Sequence, residues 1–309
     1  MLVFVEGVPG AGKSTTAQFL ARQLVRHGRP ARWFYEEEAP NPFVPAEPGA
    51  GYRDWEEYID LRIAAWRTLA NDRAGASETL IAESALLQAP VFSMLRRDAA
   101  PVLIERLVNG LAGAVAPLAP RLIYLSHPEP ARAWRAIAAR RGGQWVAQHV
   151  RRAEEYEYLQ TRGLSGLDGL LAYWQAHGAL CDAIASWLPM ETMVVDVARG
   201  DWAEHRARIC KFLVVPNDEA PMPDVQALAR FAGRYRQGER EITVALDDRR
   251  LVLNGALWPS NTLLPAGDDV FEVEAWPFRI HFHDGALEWR GPRLWWGEPV
   301  DGVYRRVTG

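Results

Sequence analysis

The chain has 309 residues, 49% hydrophobic and 24% charged, which excludes disorder as its main state and predicts about two domains. A formal net charge of -4 provides no basic footprint, so neither nucleic acid nor an anionic membrane is expected as a partner.

Leu2 to Val5 is a short apolar run ending at Glu6-Gly7. A helical repeat follows from Thr15, with Phe19, Leu20, Leu24 and Val25 on its apolar side, and stops near Gly28. Further strands are predicted at Arg32 to Tyr35, Thr79 to Ala82, Arg121 to Leu125 and Thr192 to Asp196, all short and apolar as buried parallel strands are. Between them, helical patterns cover about Trp55 to Leu69, Val102 to Val115, Ala131 to Arg140, a long pair from His149 to Trp187, and Trp202 to Leu213. Strands alternating with helices imply an α/β fold, a five-stranded parallel sheet with helices on both faces, over residues 1–215.

Residues 216–224 are rich in proline and acid and read as a linker. After one short helical piece, residues 225–309 become a series of short strands separated by turn signals such as Asp247-Asp248, Asn254-Gly255 and Asp284-Gly285. That predicts a small antiparallel all-β domain, drawn as an open barrel. Cys181 and Cys210 are the only cysteines and show no CxxC spacing, so neither a disulfide framework nor a zinc site is written in the chain. No basic leader region precedes the first strand, and no stretch approaches eighteen uninterrupted apolar residues; a cytoplasmic location is expected.

The motif that carries chemistry is Gly7-Val-Pro9-Gly10-Ala11-Gly12-Lys13-Ser14, followed by Thr15. It fits G-x-x-x-x-G-K-[ST] and lies between a predicted strand and a predicted helix. Glycines let the backbone curl so that successive N–H groups point at phosphate oxygens, and the positive end of the following helix adds to the field. Lys13 would reach the β- and γ-phosphates of ATP, and Ser14 would offer its hydroxyl to Mg²⁺. Only Lys13 and Lys211 are lysines among 35 basic residues, which makes a chance match rarer still.

With its fourth strand, acid-proline turn and helix from Leu122 to Arg140-Arg141-Gly142, this arrangement resembles the P-loop nucleoside and nucleotide kinases, the thymidylate kinase and deoxynucleoside kinase group in particular. The resemblance implies an ATP- and Mg²⁺-dependent phosphotransferase. It also implies an arginine-bearing lid, which Arg140 and Arg141 match by position; the alternative is that they complement a helix dipole. The third strand runs into Glu83-Ser84, where those kinases carry an acid followed by arginine. Glu83 is a metal candidate or a helix cap, and Ser84 in place of arginine departs from the family pattern.

In the same kinases a general-base glutamate follows the second strand, where this chain has Glu36, Glu37 and Glu38. Alternation would put Glu36 and Glu38 on one face and Glu37 on the other; the alternative is a solvated acidic loop. Tyr58, Arg62 and Trp66 share one helix face at i, i+4 and i+8, where they either line a pocket for a small hydroxylated acceptor or pack in the core. The acceptor is left open among a nucleoside, a sugar-like metabolite and an antibiotic.

The stretch Gly233-Arg-Tyr235 with Leu263-Leu-Pro265 and Phe271 resembles the small β domains appended to some serine β-lactamase-like hydrolases, where the module is not catalytic. It could cover the acceptor site, form a homodimer or bind a partner, and Trp289, Trp295 and Trp296 either form a binding face or fill a barrel. A nucleotide-dependent switch whose β domain reads a protein partner is the alternative to the kinase.

Overall fold

A computed structural model describes residues 1–43, 53–218, 224–295 and 302–307. They divide into two compact units, residues 1–36 with 40–217 and residues 37–39 with 218–309.

The first unit opens with β1 (Leu2–Gly7) and α1 (Lys13–Arg26), then β2 (Ala31–Phe34). The two-residue strand β3 (Glu38–Ala39) belongs to the second unit. The chain continues through α2 (Trp55–Asp72), β4 (Thr79–Glu83), α3 (Gln88–Leu95), α4 (Pro101–Val115) and β5 (Arg121–Ser126). It closes with α5 (Pro130–Arg141), α6 (Gly143–Ala153), α7 (Glu157–Gln160), α8 (Gly166–Ala185), β6 (Glu191–Asp196) and α9 (Trp202–Leu213). The five strands form one parallel sheet in the order β2-β4-β1-β5-β6, the α/β class that the sequence predicts. The pattern read as a helix pair from His149 is instead three helices, α6, α7 and α8. The helix α3 has no counterpart among the elements predicted from sequence.

β1 is a continuous buried run, yet its side chains alternate between two cores. Leu2 and Phe4 join Leu80, Ala82, Leu122 and Tyr124 in a core covered by α2, α3, α4 and α8. Val3 and Val5 join Ile81, Ile123 and Leu125 in a second core under α1 and α9. The parity has consequences at the strand ends. Glu6 shares the face of Leu2 and Phe4 and points towards α3 and α8, whereas Glu83 shares the face of Ile81 and points towards α1. The segment Pro101–Leu118 is long and apolar enough to cross a membrane by length and composition alone. It is interrupted by Glu105, Arg106 and Asn109, and Ile104, Leu107, Val108 and Leu111 are fully buried in the first core.

In the second unit, after α10 (Val225–Ala229), come β7 (Gly233–Gln237), β8 (Arg240–Asp247), β9 (Arg250–Asn254), β10 (Asn261–Pro265), β11 (Val270–Val273), β12 (Arg279–His283), β13 (Ala286–Arg290), β14 (Arg293–Leu294) and β15 (Gly302–Arg306). All except β14 form an antiparallel barrel. It is closed rather than open, because β9 pairs with β10 and β15 returns to β7. Closure removes the edges that an open sheet would expose. Alternate residues such as Ile242, Val244, Leu251, Leu253, Ile280, Leu287 and Tyr304 fill the interior. Trp289 is buried among them, Trp295 is exposed, and Trp296 lies outside the described residues. β14 pairs with β3, Leu294 opposite Glu38, and the Trp295 amide donates to the Glu37 carbonyl at 3.0 Å.

Candidate active site

The glycine loop turns between β1 and α1 at the carboxyl end of the central strand, where open parallel sheets bind ligands. Gly10 and Gly12 have φ of +85° and +87°, a region that side chains other than glycine's adopt at a cost. Both are also hemmed in. A Cβ on Gly10 would lie 2.8 Å from the Ala133 carbonyl oxygen of α5, and one on Gly12 would strike the Trp202 indole of α9. Gly12 caps α1 without a side-chain hydrogen bond, and the first turn of α1 carries no acid, so the positive helix end faces the loop. Pro9, Gly10, Ala11 and Gly12 form the turn, and Lys13, Ser14 and Thr15 begin the helix. Lys13 is buried, its Nζ donating to the Val8 carbonyl of the same loop at 3.1 Å.

The Ser14 hydroxyl donates to Oε1 of Glu83 at 2.5 Å. Parity explains the meeting: Glu83 ends β4 on the α1 face, and Ser14 begins α1 beside it. Glu83 is 1% exposed. The next residue, Ser84, has φ +58° and a fully buried hydroxyl with no hydrogen-bond partner among the described residues.

On the other face of β1, the buried carboxylate of Glu6 accepts the amide of Leu86 at 2.6 Å and that of Gln88 at 2.9 Å. Burial raises its pKa to about 7, although these backbone donors and Lys13 pull the other way. His177 of α8, also fully buried, is pushed down to about 4 by desolvation. Its neutral ring lies 3.3 Å, through Nε2, from the Gln88 carbonyl; a carbonyl only accepts, so Nε2 carries the proton. The Gln88 side chain donates from Nε2 to Oε2 of Glu36 at 2.8 Å.

The three glutamates after β2 divide between the two units. A turn at residues 36–37 breaks the expected alternation, leaving Glu36 in the first unit and Glu38, buried, in β3 of the second. Tyr58, Arg62 and Trp66 do share a face, and they form a buried bracket around one carbonyl. Arg62 Nη2 and Trp66 Nε1 donate to the Phe43 oxygen at 3.1 and 3.0 Å, and Arg62 Nη1 donates to the Tyr58 hydroxyl at 3.0 Å. Trp66 stacks on Phe4 at 5.5 Å between ring centroids, and all three are at most 4% exposed.

Arg140 and Arg141 end α5. Ile137 of that helix would lie 3.7 Å from a Cβ on Gly10, and residues three and four further on share its face. Arg140 and Arg141 thus lie on the same side of α5 as Ile137, one turn further on. Arg140 is exposed, whereas the Arg141 guanidinium lies 4.8 Å over the Trp145 ring of α6.

The linked residues Glu6, Gln88 and His177, and Trp202 against Gly12, are ones that the sequence pattern does not single out. A lone acid ending the apolar run Leu-Val-Phe-Val is a visible signal for Glu6; the others depend on long-range packing.

No protein family matches the sequence, and no curated protein does. Solved structures that match part of this chain include a deoxyadenosine kinase from M. mycoides with bound dATP, at 18% identity, covering 69% of this chain and 99% of that one with a TM-score of 0.35. A thymidylate kinase from Candida albicans has 15% identity, coverage of 71% and 95%, and a TM-score of 0.39. An unliganded sugar kinase from Janibacter sp. has 18% identity, coverage of 69% and 94%, and a TM-score of 0.34.

Proposed function

We propose that the first unit is an ATP-dependent phosphotransferase that moves the γ-phosphoryl group to a hydroxyl of a small molecule. The observation that carries this reading is the pair of oxygen donors, Ser14 Oγ and Glu83 Oε1, meeting at 2.5 Å beside a Gly-Lys loop. One hydroxyl and one carboxylate suit Mg²⁺, which takes few protein oxygens and completes its shell with water and phosphate. Ser14 and Glu83 would hold the ion, which when bound neutralises charge on the phosphates.

The chain's own residues account for the remaining requirements. Loop amides and Lys13 bind the phosphates, Lys13 leaving its place on the Val8 carbonyl to do so. Arg140 and Arg141, at the end of α5, neutralise charge on the transferred group. Glu36 accepts the proton of the acceptor hydroxyl as its oxygen bonds to the γ-phosphorus and the bond to the β-phosphate oxygen breaks, leaving ADP. Tyr58, Arg62 and Trp66 act at one remove, by fixing the loop that follows Glu36.

The test is ADP release from Mg-ATP against nucleosides, sugars and hydroxylated antibiotics, in the native protein and in Lys13→Ala. Acceleration by one compound class that disappears in Lys13→Ala supports the reading. ATP hydrolysis indifferent to every acceptor would overturn it.

A further inference from the structure

Gln88 stands at the crossing of three contacts made by three different parts of the chain. Its amide donates to Glu6 of β1 at 2.9 Å, its carbonyl faces His177 Nε2 of α8 at 3.3 Å, and its side-chain Nε2 donates to Glu36 at 2.8 Å. Both anchors are fully buried, so the backbone of Gln88 is clamped from its two sides. The amide group is also oriented: a carboxylate accepts only, so the NH₂ end must face Glu36.

The remaining end of the amide adds a second observation. Gln88 Oε1 is buried and has no hydrogen-bond partner among the described residues. Buried acceptors without donors are costly and uncommon. A cluster of such costs falls in one short segment, since Ser84, four residues earlier, combines a left-handed backbone with a buried unbonded hydroxyl. Local strain and unsatisfied groups persist where the surrounding structure holds them in place, and they concentrate at functional sites.

We propose that Gln88 is the positioning residue for Glu36, fixing the carboxylate that receives the acceptor's proton, and that Glu6 and His177 hold Gln88 in register. The proposal rests on the phosphotransferase reading. Its physical content is a tie between the two halves of the reaction. Glu6 immediately precedes Gly7, the first residue of the phosphate loop, so one strand carries the loop and, through two hydrogen bonds, sets the base. Positioning of this kind matters because a base displaced by about 1 Å loses much of its rate advantage.

The experiment is a double-mutant cycle on acceptor-dependent ADP release, using Gln88→Met, Glu36→Gln and both together. Gln88→Met keeps length and flexibility but removes the donor. It should lower kcat by roughly 10- to 100-fold, leave the KM for ATP unchanged, and cost nothing further in the Glu36→Gln background. Gln88→Asn, which keeps the amide but is one methylene short, should lose kcat likewise, and ATP binding by each variant checks that the loop domain is folded. Equal losses from Gln88→Met in both backgrounds, or no loss in the native one, would overturn the proposal while leaving the kinase standing; so would a Glu36→Gln enzyme of native activity. Native protein that shows no acceptor-dependent, Lys13-dependent turnover overturns the phosphotransferase reading, and this proposal with it.

Discussion

The hydroxyl of Ser14 donates to the carboxylate of Glu83 at 2.5 Å, joining the first turn of α1 to the end of β4 across 69 residues of sequence. In a phosphotransferase these two oxygens would serve the magnesium ion. Glu83→Gln keeps the shape and removes the charge, so the Mg²⁺ concentration needed for half-maximal turnover should rise at least about tenfold, one charge-assisted ligand being worth that much. A magnesium titration at fixed ATP measures it. An unchanged midpoint would remove Glu83 from the metal site.

Gly12 is held by its backbone and by its neighbour. Its φ of +87° disfavours any Cβ, and that Cβ would meet the Trp202 ring. Gly12→Ala should cost about 1–3 kcal/mol of stability and weaken ATP binding by roughly a hundredfold, through displaced loop amides. Adding Trp202→Ala relieves the collision and not the backbone, so the double variant should recover stability only in part. Urea unfolding and calorimetric titration with ATP give both numbers. Native affinity in Gly12→Ala would show that this backbone is not needed for the nucleotide.

Glu6 and His177 pull stability in opposite directions as pH changes. The folded-state pKa of Glu6 is raised from 4.5 to about 7, so the stability it contributes is whole below pH 4.5 and is lost as pH rises to about 7. That of His177 is lowered from 6.5 to about 4, so its contribution is whole above pH 6.5 and is lost as pH falls towards 4. Each change is worth roughly 3 kcal/mol, and both groups are fully buried. Over pH 4.5 to 6.5 the two contributions offset each other. Relative to the native protein, His177→Gln should lose stability with rising pH over that window and Glu6→Gln with falling pH. Variants whose urea midpoints follow the native pH profile would contradict the assignment.

Trp66 fills the core between Phe4 and Phe43 and donates to the Phe43 carbonyl. Trp66→Ala should cost about 3–5 kcal/mol. Trp66→Phe, which keeps a ring but loses the donor, should cost about 1–2 kcal/mol, because Arg62 still serves the same carbonyl. The acceptor's KM should not change in Trp66→Phe. A raised KM with native stability would instead mark Trp66 as a wall of the acceptor pocket.

Much of the sheet is readable in the sequence because its strands are short, apolar and separated by helical repeats, and because the phosphate-loop spacing identifies β1 and α1. What fails to be readable is set at long range. The helix α3 is eight residues long with Pro90 in its first turn, too short for a periodic pattern. Glu38 lies in a two-residue strand that pairs with Leu294, 256 positions away. The face of Tyr58, Arg62 and Trp66 is correctly spaced, but spacing cannot tell a pocket wall from a core bracket, and the bonds to the Phe43 carbonyl exist only in the folded chain. Gln88 carries no motif, and only the folded chain brings it to Glu36.

A phosphotransferase must deliver the γ-phosphoryl group to a small-molecule hydroxyl instead of to water. Mass spectrometry of the acceptor after incubation with Mg-ATP tests this directly. The expected result is one added phosphoryl group on the compound that accelerates ADP release, formed in step with ADP and absent with Lys13→Ala. Stoichiometric inorganic phosphate with every acceptor left unmodified would contradict it.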